Sequence, residues 1–150
     1  MWVEIQESDL LTGISGPELA GIRSAALATG QSDPVQPTLD QVTRLIRGRV
    51  AACRHNRLGE GNTIPDELME AAVAIAVMKL PARAAGLTID PDGTRQSAAD
   101  DAQDLLKEVA ACRFAIEQPE AVSEEQTAAP PKPAMQEKNR RFTRTSQDGL

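Results

Sequence analysis

Aromatic residues are scarce in this chain: its 150 residues include two Phe, one Trp and no Tyr. Because 41% of the residues are nevertheless hydrophobic, the core has to be built from aliphatic side chains, chiefly Ala, Leu, Val, Ile and Met. Such side chains favour close-packed helices, and the length suits one domain with a tail. The sequence therefore predicts an all-α fold, a small bundle of four to five helices with an extended C-terminal tail.

The net charge of the chain resides in its first part. Residues 1–118 carry eleven basic and seventeen acidic side chains, whereas residues 119–150 carry five of each. The overall charge of −6 argues against a dedicated binder of DNA or of anionic membranes. No apolar run approaches the roughly 20 residues that span a bilayer, and the acidic start lacks the basic region of a signal peptide. We expect a soluble protein, cytoplasmic where it is made, with no membrane partner.

The change of composition at Pro119 predicts a boundary between a helical domain at 1–118 and a tail at 119–150. The tail begins with a Pro/Ala-rich linker that has few bulky side chains to bury, and its Pro-Pro-Lys-Pro portion favours extended geometry of about 3 Å per residue. The linker leads to a basic segment around one aromatic residue, formed by Arg140, Arg141, Phe142 and Arg144. This segment fits a docking peptide, and a disordered solubilising tail is the alternative.

Two capping boxes mark the starts of the first helices. In each box a hydroxyl residue is followed three positions later by Glu or Gln, so that the two side chains can cap the first turn. The box at Ser15 and Glu18, with a proline between them, predicts a helix over 16–28. The box that begins at Thr38, followed by an apolar stripe, predicts a second helix over 39–57.

Proline and acidic residues mark the start of a third helix at Pro65. Pro81 is expected to stop or kink it, and Gly86 to end any continuation. A fourth helix is expected to begin at 90–92 or at Ser97 and to end near the second cysteine. The links between these helices are short, as in a small bundle.

Two short segments, at 2–5 and 114–116, alternate between apolar and other residues as strands do. They are predicted to be short strands at the two ends of the helical domain.

The chain offers few candidates for catalysis or metal binding. His55, its one histidine, lies in an arginine-rich stretch, so we expect a surface or capping residue rather than a general base. The Gly59-x-Gly61 sequence lacks the preceding strand and the Gly-Lys-Ser/Thr of a phosphate-binding loop, and it predicts a turn. The acidic residues of the fourth helix form a stripe that is typical of a solvated face. We expect no enzymatic activity, no cofactor and no metal.

The two cysteines, Cys53 and Cys112, lie far apart in the sequence and form no C-x-x-C motif. This pattern suggests neither a disulfide framework nor a zinc knuckle. Cys53 falls on the apolar stripe of the second helix and Cys112 near the end of the fourth. Both are therefore expected to be packed thiols in a reduced, intracellular chain.

The second predicted helix is rich in arginine. Between positions 41 and 59 there is no acidic residue, and the five arginines are Arg44, Arg47, Arg49, Arg54 and Arg57. The three that fall away from the apolar stripe are Arg44, Arg47 and Arg54. Arg49 falls on the edge of that stripe, where it would need a carboxylate or an interface.

An acidic stripe on the fourth helix complements these arginines. It is formed by Asp100, Asp104 and Glu108, at a spacing of four residues. The basic and acidic helices could face each other within one fold or, if both face outward, between copies of the protein in a ring. Exposed charges without a specific partner are the alternative, because surface ion pairs contribute only about 0–1 kcal/mol.

Five segments occur in a recognisable order. Glu-x-Asp-Leu-Leu at 7–11 is followed by Thr-Leu-Asp-Gln-Val-Thr-x-Leu-Ile-x-Gly at 38–48 and Ile-Pro-x-Glu-Leu at 64–68. Asp-Ala-x-x-Leu-Leu-x-x-Val-Ala stands at 101–110, and Asn-Arg-Arg-Phe-Thr-Arg at 139–144. This order resembles the small helical head–tail connector, or adaptor, proteins of tailed bacteriophages and prophages, including the Mu-like connector group.

The resemblance implies an assembly role rather than catalysis. Proteins of this group form a ring, typically of twelve copies, beneath the portal, where they extend the DNA channel and present a surface to the next neck or tail component. The implied partners are the portal protein, neighbouring copies, that next component and double-stranded DNA in passage, without sequence-specific binding. The implied location is the virion neck, and the host cytoplasm during assembly. The Pro/Ala-rich insert at 119–135 departs from the pattern and leaves the path of the tail open.

Two other functions stay open at this point. The first is a small helical nucleic-acid-binding regulator that uses the arginines of the second helix, although the pI near 4.8 and the lack of a helix-turn-helix pattern argue against it. The second is a tail-completion protein elsewhere in the same particle, which the sequence does not distinguish from a connector.

Overall fold

The computed structural model describes residues 1–81 and 93–119, which belong to one compact unit, Met1–Glu120. The elements in these ranges are β1 (Trp2–Glu4), α1 (Glu7–Leu10), α2 (Gly16–Ala28), α3 (Val35–Ala52), β2 (Thr63–Pro65), a 3₁₀-helix (Asp66–Leu68), α4 (Met69–Lys79) and α5 (Thr94–Ala110). None of these helices is long and apolar enough to pass through a lipid bilayer. Apart from Pro119, the predicted linker and docking tail lie outside the described residues.

A small antiparallel sheet joins β1 to β2, with Trp2 opposite Pro65 and Glu4 opposite Thr63. The described fold is therefore mostly helical with one small two-stranded sheet, which is compatible with the predicted helical bundle. β1 matches the strand predicted near the N-terminus, whereas β2 follows a loop that gave no strand signal. The strand predicted at 114–116 is wrong, because these residues are irregular.

The helix α2 begins and ends where the first capping box predicts. The hydroxyl of Ser15 accepts the Glu18 N–H at 3.4 Å, which caps the first turn. The carboxylate of Glu18 is engaged elsewhere: it accepts two hydrogen bonds from the guanidinium of Arg95, in the first turn of α5. Of the two residues of the predicted box, Ser15 thus caps α2, whereas Glu18 joins α2 to α5.

The helix α3 begins four residues earlier than predicted. The carboxylate of Asp33 accepts the Val35 N–H at 3.0 Å, and Pro37 falls in the first turn, where a missing N–H leaves no intrahelical bond unmade. Thr38 is not an N-cap. It is buried inside the helix, and its hydroxyl donates to the carbonyl of Pro34 at 2.7 Å.

The same helix ends at Ala52, five residues earlier than predicted. Cys53 has extended backbone, with φ −86° and ψ 116°, and the side-chain amide of Asn56 donates to the carbonyl of Val50 at 3.4 Å. Residues 53–56 therefore form a turn, in which the Asn56 N–H donates to the Cys53 carbonyl at 3.0 Å, and the helix does not continue to residue 57.

The boundaries of α4 and α5 agree broadly with the sequence signals. Pro65 leads into the 3₁₀-helix and α4, and α4 ends two residues before Pro81. The α5 helix starts at Thr94, between the two predicted starts. The positions proposed for its earlier start, 90–92, and the predicted stop at Gly86 lie outside the described residues.

The core is aliphatic, as the composition predicts, and α4 is its central element. This helix packs against α1, α3 and α5. Its buried residues, which are small or β-branched, are Ala71, Ala72, Val73, Ile75, Ala76 and Val77. The two aromatic side chains of the described ranges, Trp2 and Phe114, are only partly buried at the edge of the core.

Candidate functional site

The helix α3 and the turn after it carry exposed arginines that have no carboxylate partner among the described residues. Arg44 and Arg49 on the helix, and Arg54 just after it, are exposed, and none of them forms an ion pair with a carboxylate in residues 1–81 or 93–119. Arg44 makes one backbone contact, from its Nε to the carbonyl of Asp40 at 3.2 Å. The partner expected for Arg49 is not needed within the fold, because its side chain reaches solvent. These three residues, Arg44, Arg49 and Arg54, are called the basic face below.

Arg47 differs from the other arginines of α3. Its guanidinium is half-buried and donates to two carbonyl oxygens, that of Thr63 at 2.7 Å and that of Gly59 at 3.1 Å. These bonds hold the loop between α3 and β2 against the helix. Arg47 therefore has a role inside the fold that helical periodicity alone did not predict, since its partners come from a loop.

The acidic stripe of α5 also faces outward, and its members are Asp100, Asp104 and Glu108. Each has a partner on its own helix or directly after it: Gln96 donates to Asp100 at 2.9 Å, Lys107 to Asp104 at 2.7 Å and Arg113 to Glu108 at 2.6 Å. The hydrogen bond from Arg113 lowers the pKa of Glu108 below its ordinary value. The helices α3 and α5 pack together. No ion pair in the described ranges joins the basic face to these acids.

The predicted docking segment follows the described part of the chain in the sequence. Arg140, Arg141, Phe142 and Arg144 lie outside the described residues. The chain that leads toward them is held at its start. Ile116 is buried, the Glu117 N–H donates to the Glu67 carboxylate at 2.9 Å, and the side chain of Gln118 accepts the Arg57 N–H at 2.8 Å.

The two cysteines form a disulfide, which corrects the prediction of packed free thiols. Cys53 and Cys112 are separated by 59 positions in the sequence, and their Cα atoms are 5.3 Å apart. Only Cys53 is packed, at 2% exposure, while Cys112 is exposed. Sequence spacing missed the bond because it depends on two helix ends meeting: α3 ends beside Cys53 and α5 ends beside Cys112.

Cys112 occupies a position that usually belongs to glycine. Its φ of 60° is in the left-handed region, and among the described residues it is the one non-glycine with positive φ. The Cys112 N–H donates to the Val109 carbonyl at 3.1 Å and the Arg113 N–H to the Glu108 carbonyl at 2.9 Å. This pair of bonds is a Schellman motif, which ends α5 and turns the chain at the cysteine.

His55 completes a cluster with the two sulfurs. Its Nδ1 lies 3.9 Å from the Cys53 sulfur, and the possible ligand atoms of Cys53, His55 and Cys112 all lie within 4.8 Å of one another. His55 is exposed, as expected for a surface residue, but it adjoins a soft donor pair that the sequence did not indicate. The cluster sits where the ends of α3 and α5 meet, at the start of the 113–119 segment.

A groove of about 470 Å³ lies between α1, α4 and the start of α5. Its walls include Val73, Val77 and Ala98, and its polar groups are those of Asp9, Glu70 and Arg95. No motif in the sequence pointed to this groove.

No known protein family, no curated protein and no solved structure matches this chain.

Proposed function

We propose that the protein is a structural neck protein of a tailed phage or prophage: a head–tail connector that forms a ring under the portal, extends the DNA channel and joins head to tail. The observation that carries the proposal is the pair of oppositely charged outward faces. The basic face has no carboxylate partner among the described residues, and the acidic stripe projects from a different helix. The order of sequence motifs that resembles connector proteins supports the same role.

Two different faces suit a ring. When one patch of a protein binds a different patch on the next copy, the contact is heterologous and repeats around an axis until it closes. Charge complementarity fixes the register of such a contact and speeds encounter more than it adds affinity. A basic face on α3 and an acidic stripe on α5 thus give each copy one surface for each neighbour.

The tail is proposed to bind outside this ring contact. The Pro-Pro-Lys-Pro portion of the linker favours extended geometry of about 3 Å per residue, which suits a segment that has to reach another protein. Arginine and aromatic side chains are enriched at the energetic centres of interfaces, so Arg140, Arg141 and Phe142 are the proposed anchors on the portal or an adjacent subunit. The acidic overall charge suits a channel wall past which DNA slides without being held.

A charge-swap series tests the ring contact. In the Arg44→Glu/Arg54→Glu variant the basic face becomes acidic, and we expect the ring to be lost in electron micrographs of the co-expressed protein and portal. The Asp100→Lys/Asp104→Lys variant should lose it too. Combining the four substitutions in one chain should restore the ring, because the two faces are then again oppositely charged, with their signs exchanged. Unchanged assembly in either double variant would contradict the contact. Arg47 is left intact because it holds the fold.

Co-expression with the portal protein of the same phage or prophage tests the function itself. Electron microscopy of the co-purified complex should reveal a ring of added density on the portal. A chain that ends at Gln118 should lose portal binding, and wild-type binding by that chain would refute the role of the tail. A soluble, folded protein that leaves the portal bare would refute the connector role and favour a tail-completion protein.

The unpaired arginines of the basic face also favour a second candidate, the nucleic-acid-binding regulator. Cationic side chains that contact phosphates make binding weaken steeply as salt rises. A DNA mobility-shift assay over a range of salt concentrations distinguishes the two functions. Steeply salt-dependent binding that Arg44→Glu/Arg54→Glu removes would support the regulator, and no shift would leave the connector as the better proposal.

A further inference from the structure

The cluster of Cys53, His55 and Cys112 contains the donor atoms of a metal site. Two thiolates and an imidazole are a donor set that zinc takes in proteins, with a fourth position completed by another ligand or water. The three possible donor atoms already lie within 4.8 Å of one another across 59 positions of sequence. We propose that the reduced protein binds one Zn²⁺ ion through the sulfurs of Cys53 and Cys112 and Nδ1 of His55.

Hydrogen bonds at the two helix ends position these donors in addition to the sulfur–sulfur bond. Cys53 follows the last turn of α3, which Asn56 caps, and its side chain is packed against the core. Cys112 is fixed by the two hydrogen bonds of the Schellman motif. His55 is two residues after Cys53, with Nδ1 facing the sulfur at 3.9 Å. A zinc ion with bonds of about 2.3 Å to sulfur requires the two sulfurs to move apart by rotating their side chains, not the helices.

The exposure of the cluster also suits an ion. Cys112 and His55 are exposed while Cys53 is buried, so the cluster has one closed side and one open side, through which an ion can enter and water can complete its coordination. The guanidinium of Arg113 is held by Glu108 and does not occupy the site.

The disulfide and the metal exclude each other because both use the same sulfurs. A cellular dithiol reductant attacks one sulfur, most accessibly that of exposed Cys112, and a mixed disulfide forms as the Cys53–Cys112 bond breaks. The second thiol of the reductant then displaces it, so the reductant leaves as its own disulfide and two protons and two electrons remain on Cys53 and Cys112. Each thiol releases its proton to solvent as it binds Zn²⁺. The tie between α3 and α5 is thereby kept in a reducing compartment.

Cobalt binding to the full chain tests the proposal, since Co²⁺ takes tetrahedral thiolate sites and absorbs visibly there. The chain is reduced, freed of reductant without oxygen, and titrated with Co²⁺ and then Zn²⁺. We expect one Co²⁺ per chain with the strong d–d bands of tetrahedral cobalt, displaced by one equivalent of Zn²⁺. The disulfide form should take up none at the same concentrations. Absence of tetrahedral bands from the reduced chain would overturn the proposal, as would tight uptake by the disulfide form.

Two variants locate the ion. His55→Ala leaves both cysteines and the disulfide in place, and we expect it to bind Co²⁺ at least tenfold more weakly with altered bands. Equal affinity in this variant would overturn the three-residue site. The control is Asp100→Asn/Asp104→Asn on the acidic stripe, which should bind as the wild type does. A loss there would place the ion on the stripe and overturn the proposal. The measurement needs no portal and no ring, so it is independent of the proposed connector role.

Discussion

Arg95 and Glu18 form a two-bond ion pair that joins the first turn of α5 to the first turn of α2, with N···O distances of 2.5 and 2.9 Å. Both side chains are 26% exposed, and the two residues are 77 positions apart. The hydrogen bond from Arg95 is the main cause that lowers the pKa of Glu18. The contribution of this ion pair to stability is therefore present above the unfolded-state pKa of the Glu18 carboxyl. It is lost as the pH falls through the folded-state pKa.

We expect Arg95→Ala to lower the free energy of unfolding at pH 7 by about 1 kcal/mol and to flatten the loss of stability between neutral and acidic pH. Urea titrations at a series of pH values measure both effects. Lys107→Ala is the control, because its pair with Asp104 is exposed on both sides and contributes little. If the free energy of unfolding fell as steeply toward acidic pH in Arg95→Ala as in the wild type, the role of the Arg95–Glu18 pair would be contradicted.

The indole of Trp2 leaves no room for a side chain at Gly59. A Cβ placed there would stand 2.6 Å from Cε3 and 2.7 Å from Cδ2 of the ring. Gly59→Ala should destabilise the protein by about 1–3 kcal/mol through overpacking, with a change in tryptophan fluorescence. Gly48→Ala, on the exposed face of α3 with nothing within 4 Å, should instead stabilise by about 0.5–1 kcal/mol. Equal effects of the two substitutions would show that the ring has room to move.

The left-handed conformation of Cys112 predicts an order among its variants. Replacing it with Ala or Gly removes the disulfide, which closes a segment of 59 positions and stabilises by about 4 kcal/mol in the chain-entropy treatment. Glycine adopts a positive φ without strain, so Cys112→Gly should be about 1 kcal/mol more stable than Cys112→Ala. Denaturation under oxidising and reducing conditions separates the two contributions. If alanine were the more stable variant, the Schellman turn would not persist without the bond.

Arg47 and Arg44 lie one turn apart on α3 but should differ in their effect on stability. Arg47→Ala leaves the carbonyls of Gly59 and Thr63 without their guanidinium donor, and we expect a loss of about 2 kcal/mol with faster hydrogen exchange in the loop before β2. Arg44→Ala should change stability by less than about 0.5 kcal/mol because Arg44 is exposed. Similar losses in the two variants would contradict the internal role of Arg47.

Local signals in the sequence predicted the parts of the fold that depend on local contacts. The start of α2 follows from the cap at Ser15, and the exposure of Arg44 follows from the helical period. The start of α3 was misplaced because Thr38 has the residue type and spacing of a cap but lies inside a helix that Asp33 already begins. The capping-box pattern alone does not show whether the Asp33 carboxylate or the Thr38 hydroxyl accepts the first unpaired N–H of α3.

These local signals did not predict the contacts between residues that are far apart in the sequence. The partner of β1, the carbonyls that Arg47 binds and the meeting of Cys53 with Cys112 all depend on where loops and helix ends arrive after the chain has packed. Cysteine spacing carries information about a bond only when the framework is local or the class of fold is known. One weak signal did exist: Cys112 stands near the predicted end of the fourth helix, where glycine is usual.

The disulfide also changes how the protein would carry a mechanical load. When force is applied between β1 and Pro119, the shortest covalent path runs through the Cys53–Cys112 bond. This path leaves out the chain between the two cysteines. The tension passes from α3 through the two sulfurs into the 113–119 segment. The polypeptide of β2, α4 and α5 lies inside this covalent loop and cannot be drawn out into an extended chain. The central helix of the core can then stay folded while the ends of the chain are under strain.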